Sequence, residues 1–155
     1  GELTQTGGRI ARIREFLNNE TFCLTYGDGV GNVNIKELIN NHTRSEKLVT
    51  LTAVQPPGRF GALDLEGSLV KSFQEKPIGD NSWINGGFFV LETSAIDFID
   101  GDDCVWEDKP LKTLSKNNEL NAYKHYGFWQ PMDTLRDYRL LQKRWEEGKA
   151  LWKTW

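Results

Sequence analysis

Three short stretches of this chain couple an apolar, β-prone run to groups able to handle a metal-bound phosphate. In Phe22-Cys23-Leu24-Thr25-Tyr26-Gly27-Asp28-Gly29-Val30 the run stops at a carboxylate set between two glycines. Glycine lets a backbone approach a phosphate closely, and Asp28 is a hard oxygen donor of the kind Mg²⁺ takes. Phe73-Gln74-Glu75-Lys76-Pro77 supplies an adjacent acid and base, and Phe128-Trp129-Gln130-Pro131-Met132-Asp133-Thr134 a second carboxylate. Neighbouring side chains of an extended segment point to opposite sides, so Glu75 can meet a sugar hydroxyl while Lys76 neutralises a phosphate. In open α/β sheets ligands gather at the carboxyl ends of strands, where all three stretches would present these groups.

Each stretch also has a plainer reading. Asp28 can simply satisfy backbone N–H groups in a Gly-Asp-Gly bend. Asp133 precedes Thr134 and Asp137, which are spaced as a capping box, so it can serve only the positive end of a helix. Glu75 and Lys76 can be a solvated turn, and Arg59 a surface-loop arginine. Thr6-Gly7-Gly8-Arg9 opens a helix, a natural anion site, though two glycines there are weak evidence. His42 and His125 have no ligand spacing and read as structural.

The elements around these groups alternate. A helix is expected over 9–17 with Ile10, Ile13, Phe16 and Leu17 on one face, then a strand over 22–26. A helix capped by Asn34 would bury Ile35, Leu38 and Ile39. Strands are expected at 48–54, 87–91 and 119–124, and a hairpin at 61–65 and 69–73. Short helices follow at 93–99 and at Pro110, and 134–147 is the longest helix. Strands alternating with helices imply an α/β layer fold with a largely parallel sheet.

At 155 residues the chain can form one domain with a real core. A hydrophobic fraction of 38% and a charged fraction of 26% argue against extensive disorder. The net charge of −3 implies no general affinity for polyanions, so no nucleic-acid partner is expected. Two unpatterned cysteines, Cys23 and Cys104, point to reduced thiols and a cytoplasmic address. No apolar run is long enough to span a bilayer, so no membrane partner is expected. Asp100, Asp102 and Asp103 read as a solvated loop. Trp152 and Trp155 on the tail would mark a contact surface unless the tail folds back.

Together the motifs resemble the sugar-1-phosphate nucleotidylyltransferases. The likeness runs in order along the chain through Thr6-Gly7-Gly8-Arg9, Thr25-Tyr26-Gly27-Asp28-Gly29-Val30, Pro56-Pro57-Gly58-Arg59-Phe60-Gly61-Ala62-Leu63-Asp64, Phe73-Gln74-Glu75-Lys76-Pro77, Ile84-Asn85-Gly86-Gly87 and Gly127-Phe128-Trp129-Gln130-Pro131-Met132-Asp133-Thr134-Leu135-Arg136-Asp137. The last string is the most specific, and Glu-Lys-Pro the least. The resemblance implies a three-layer Rossmann-like α/β sheet. It implies Asp28 and Asp133 as ligands of Mg²⁺ and Lys76 as the contact to the sugar phosphate, these three forming the catalytic set. Glu75 would bind a sugar hydroxyl, Gly61 and the Asn85-Gly86 backbone would line the sugar pocket, and Thr4, Arg9 and Gly27 align with nucleotide-contacting positions. Likeness to the cytidylyl-transferring branch implies CTP and glucose 1-phosphate as substrates, with CDP-glucose and pyrophosphate as products.

One departure matters. The family's glycine-rich loop, Gly-Gly-x-Gly-Thr-Arg-Leu, and the Pro-Lys element after it do not occur in these residues. The chain is therefore expected to be the carboxy-terminal portion of a single nucleotidyltransferase domain, its sheet incomplete because the amino-terminal strands are missing, and to be inactive alone. Two alternatives stay open: a non-catalytic binding or oligomerisation module, and a transferase of other base specificity. An unpaired sheet edge is prone to strand addition, so a homo-oligomer is expected.

Overall fold

The computed structural model of the chain describes residues 1–56, 58, 61–75 and 82–154. In chain order the elements are α1 (Thr6–Arg12), a 3₁₀ turn (Arg14–Phe16), β1 (Phe22–Thr25), β2 (Gly29–Gly31), α2 (Ile35–Ser45), β3 (Val49–Val54), β4 (Ala62–Glu66), β5 (Leu69–Gln74), β6 (Ile84–Leu91), a 3₁₀ segment (Thr93–Phe98), α3 (Lys109–Lys116), β7 (Leu120–His125), β8 (Trp129–Pro131) and α4 (Leu135–Glu146). They group into two compact units. The first takes Gly1–Thr25, Asn34–Thr52 and Gly87–Tyr123; the second takes Tyr26–Val33, Ala53–Gly86 and Lys124–Trp155.

The architecture is mixed α/β about a central sheet of order β1-β6-β3-β7, with two small two-stranded sheets, β2-β8 and β4-β5. The expectation of a largely parallel sheet needs correcting. β1 runs antiparallel to β6, with Phe22 opposite Leu91 and Thr25 opposite Phe88. No two neighbours in the four-stranded sheet are consecutive along the chain. The end of β6 also meets the start of β3, where the Glu92 N–H donates to the Leu48 carbonyl, so the internal strand β6 is the reversed one. Orientation is set by where distant segments return, which a local helix–strand alternation does not encode, and mixed sheets are common.

Within the first unit, α1 begins earlier than the apolar spacing implies and ends at Arg12, where a 3₁₀ turn takes over. Ile10 is buried, whereas Ile13 and Phe16 are exposed. The cause is a close backbone approach. A Cβ at Gly8 would lie 2.4 Å from the Asp102 carbonyl oxygen, and one at Gly7 would lie 2.7 Å from that of Cys104. Only glycine lets this helix seat against the 102–104 loop.

Asn34 caps α2 as expected, its side chain accepting from the Glu37 N–H at 3.1 Å. The buried stripe is Leu38 with His42, however, and Ile35 and Ile39 are exposed. His42 meets the Thr50 hydroxyl at 2.9 Å and a Glu92 carboxylate oxygen at 3.1 Å. A buried imidazole needs partners, and these turn its side of the helix inward in place of the isoleucines. The core of this unit gathers Leu38, Val49, Phe89, Leu91, Trp106 and Leu114. Phe89 and Trp106 meet edge to face at 6.3 Å between centroids. Among the described residues the Trp106 indole N–H has no acceptor, which offsets its burial by about 1–3 kcal/mol.

In the second unit the expected hairpin is present, turning at Gly67 with φ +60. Leu63 stands opposite Phe73 and Leu65 opposite Val70, giving one apolar face, and all four are exposed. Lys71 and Glu66 pair beside them. The tail does fold back: Trp152 stacks on Phe128 at 5.5 Å, and Arg144 covers that ring at 5.1 Å. Trp155 lies outside the described residues.

Candidate functional site

The second unit carries Gly27, Asp28, Gly61, Glu75, Asn85, Gly86 and Asp133, and the β2–β8 ladder organises most of them. Gly29 pairs with Pro131, Val30 with Gln130 and Gly31 with Trp129. The pairing continues one step beyond the strands, where the Met132 N–H donates to the Asp28 carbonyl at 2.7 Å. Asp28 thus lies across from Met132, one residue from Asp133, although 105 positions separate the two acids in the chain. Both acids are exposed.

Two side-chain bonds bring the start of β6 to this ladder. The Asn85 amide donates to the Tyr26 hydroxyl at 3.2 Å, and the Trp129 indole N–H donates to the Gly86 carbonyl at 2.8 Å. Gly27, Asp28, Asn85, Gly86 and Asp133 are therefore gathered by three hydrogen bonds, one between backbones, one from a side chain to a backbone carbonyl and one between side chains. None of them uses the carboxylate of Asp28 or Asp133. Gly61 and Glu75 meet at the open end of the hairpin, where a Cβ on Gly61 would lie 3.4 Å from Glu75 Oε2. Lys76 lies outside the described residues, as does Arg59.

Asp133 immediately precedes the cap of α4. Thr134 Oγ1 accepts from the Asp137 N–H at 3.2 Å, and an Asp137 carboxylate oxygen accepts from the Thr134 N–H at 3.1 Å, completing the expected capping box. That leaves the Asp133 side chain outside the cap. Among the described residues no three His, Cys, Asp or Glu side chains gather as a metal cage. Two exposed carboxylates on adjoining backbone are nonetheless the donor set for a cation that keeps most of its water and takes its remaining ligands from substrate phosphates.

Two cavities flank these residues in the same unit. One, of about 360 Å³, is lined among the described residues by Gln55, His125, Phe128, Trp129 and Arg144, among others. The other, of about 350 Å³, is apolar and lies along Val30, Met132, Tyr138, Trp145 and Trp152.

Thr4 and Arg9 belong to the first unit, where the Arg9 Nε–H donates to the Thr4 carbonyl at 2.9 Å. The anion site expected at the start of α1 needs correction. The Gly7 N–H donates to the Cys104 carbonyl at 2.9 Å, the Gly8 N–H to the same oxygen at 3.3 Å, and the Gln5 N–H to the Asp102 carbonyl at 2.9 Å. Donors that would greet a phosphate already have acceptors. The 100–103 run is for the same reason more than a solvated loop, since Asp102 also pairs with Arg12 through a bond from Nε at 2.9 Å. Both histidines are structural, His125 meeting the Phe128 carbonyl at 3.2 Å.

Tyr26, Trp129, Gln130 and Asp137 organise the site without having been assigned a role in it from sequence. All four lie inside the family-like strings and Asp137 is spaced for a capping box, but the partners that give them this work are distant in the chain or in another element.

The nucleotidyl transferase family profile matches residues 2–138. The chain belongs to that family. It is 56% identical over 156 residues to the glucose-1-phosphate cytidylyltransferase of Salmonella typhi, covering all of this chain and 61% of that protein. It is 41% identical over 153 residues to a probable glucose-1-phosphate cytidylyltransferase of Bacillus subtilis, covering 98% of this chain and 60% of that one. The crystal structure of a putative glucose-1-phosphate thymidylyltransferase from Bacillus anthracis, in complex with sucrose, superposes with a TM-score of 0.69 at 13% identity, over all of this chain and 63% of that one. That last likeness is one of fold. The chain spans about three fifths of the length of the curated relatives it matches. Sugar nucleotidyltransferases generally use a divalent metal. Among the described residues no helix is long and apolar enough to cross a membrane.

Proposed function

We propose that this chain is the sugar-phosphate and metal half of a glucose-1-phosphate cytidylyltransferase, which makes CDP-glucose and pyrophosphate from CTP and glucose 1-phosphate. A single observation carries the reading: the Met132–Asp28 backbone bond at 2.7 Å sets two exposed carboxylates on adjoining backbone. Asp28 and Asp133 would hold Mg²⁺, which when bound offsets the charge of the triphosphate. Glu75 would accept from a sugar hydroxyl beside Gly61, and Asn85 and Gly86, fixed by Tyr26 and Trp129, would line the sugar pocket. Lys76 would neutralise the sugar phosphate, whose oxygen forms a bond to the α-phosphorus in line as the bond to pyrophosphate breaks. Thr4, Arg9 and Gly27 would contact the nucleotide. Catalysis of this kind is positioning and charge stabilisation, with little covalent work for the protein.

The test is complementation. The 155-residue chain alone is expected to turn over little, since the family's glycine-rich loop is not among its residues. Mixed with the amino-terminal part of a relative, it should release pyrophosphate from CTP in the presence of glucose 1-phosphate, and Asp28→Asn should not. Full turnover by the chain alone would refute the need for that loop, and preference for UTP or dTTP would refute the base assignment.

A second reading, of assembly, is favoured by the hairpin. Leu63, Leu65, Val70 and Phe73 are each about half exposed or more, and a two-stranded hairpin is marginal in water without a covering surface. A homo-oligomer formed there would not need metal. Titration with glucose 1-phosphate and Mg²⁺ separates the readings, because only the enzyme reading expects saturable binding that Asp28→Asn abolishes.

A further inference from the structure

The cap of α4 contains more than a cap needs. A capping box uses a hydroxyl and a carboxylate at the helix start, both commonly exposed. Here Asp137 is only 7% exposed, and its Oδ1 accepts from the Gln130 side-chain amide at 3.0 Å while Oδ2 takes the Thr134 N–H and hydroxyl. Gln130 is equally buried, and its amide also donates to the Pro131 carbonyl at 3.3 Å. One carboxylate therefore ties the middle of β8 to the N-cap residue of α4. Asp133 sits between those anchors, and the residue before it is bonded to Asp28.

We propose that Gln130 and Asp137 are positioning residues that hold the Asp133 backbone in register with Asp28, so that the two exposed carboxylates can share one divalent cation. This rests on the proposed assignment of those acids as metal ligands. Without the Gln130–Asp137 bond, what remains on the 131–133 turn among the described residues includes the Gly29–Pro131 pairing, the Met132–Asp28 bond and the Thr134 end of the cap, and Asp133 gains freedom that a shared cation must remove. Partners that orient metal ligands typically change metal affinity by about 10- to 100-fold when lost.

The probe is Mn²⁺, with free ion followed by electron paramagnetic resonance during titration of the full chain with pyrophosphate present. Gln130→Leu keeps the volume and the cap but removes the donor, and should weaken Mn²⁺ binding by about tenfold. Gln130→Glu should weaken it further by placing two carboxylates together. The swap Gln130→Glu with Asp137→Asn restores the donor–acceptor pair between the two positions, although not the bond to the Pro131 carbonyl, and should recover part of the affinity lost in Gln130→Glu. If Gln130→Leu fails to fold, the comparison of Gln130→Glu with the swap decides. Unchanged Mn²⁺ binding in Gln130→Leu, or no recovery in the swap, overturns the positioning role while leaving the metal assignment intact. Unchanged binding in Asp28→Asn overturns the metal assignment itself.

Discussion

The Trp129 indole N–H donates to the carbonyl of buried Gly86 at 2.8 Å, joining β8 to the first residues of β6. This bond fixes the Asn85-Gly86 backbone relative to the strand that leads to Asp133. Trp129→Phe keeps a ring there and deletes the donor. Leaving a buried carbonyl without that partner costs about 1–3 kcal/mol, which urea unfolding should register. In the complemented enzyme the KM for glucose 1-phosphate should rise several-fold with a smaller change in kcat. Equal stability and equal KM would remove Trp129 from the account of the sugar pocket.

Gly8→Ala is expected to be among the harsher single changes in the first unit. Its Cβ would meet the Asp102 backbone at 2.4 and 2.6 Å. Backbone, unlike the end of a long side chain, cannot step aside, and forced overpacking costs about 1–3 kcal/mol. Gly67→Ala has open space around it and only a left-handed backbone to contend with, a penalty of about 1–2 kcal/mol. Urea midpoints for the two variants give the comparison, and a Gly8→Ala protein as stable as wild type would contradict the seating of α1.

Acid should weaken the contact between α1 and the 102–104 loop. The hydrogen bond from Arg12 holds the Asp102 carboxyl below its ordinary value of 3.8. A carboxylate with a depressed folded-state pKa adds stability that is present above its unfolded value and lost as pH falls through the folded one. In low salt the urea midpoint of the wild type should therefore fall below about pH 4 more steeply than that of Asp102→Asn. Both partners are solvent-exposed, so the difference should be small and should vanish in molar salt. Parallel pH profiles in low salt would count against the pair.

The apolar face of the hairpin gives a fourth expectation. Leu63→Ser with Phe73→Ser removes the facing pair on two exposed strands. If this face covers a second copy, sedimentation velocity should show a shift towards monomer with little change in thermal midpoint. An unchanged association state would place any oligomer contact elsewhere.

Much of this molecule is legible in its residues taken in order. Asn34 and the Thr134–Asp137 pair mark helix starts because capping is settled within three positions of the chain. The strand over 49–54, the hairpin at Gly67 and the proline opening α3 are equally local. The motif glycines and acids around 28, 86 and 133 were likewise recognisable as types.

What tertiary structure alone decided is who meets whom. The antiparallel β1–β6 pairing, the inward turn of His42 in place of Ile35 and Ile39, and the loop carbonyls that take the N–H groups of Gly7 and Gly8 all depend on segments far apart in sequence. So does the bond that sets Asp28 beside the backbone of Asp133. Local preferences extend only over a turn or two, whereas burial and hydrogen-bond satisfaction are met across the whole chain at once.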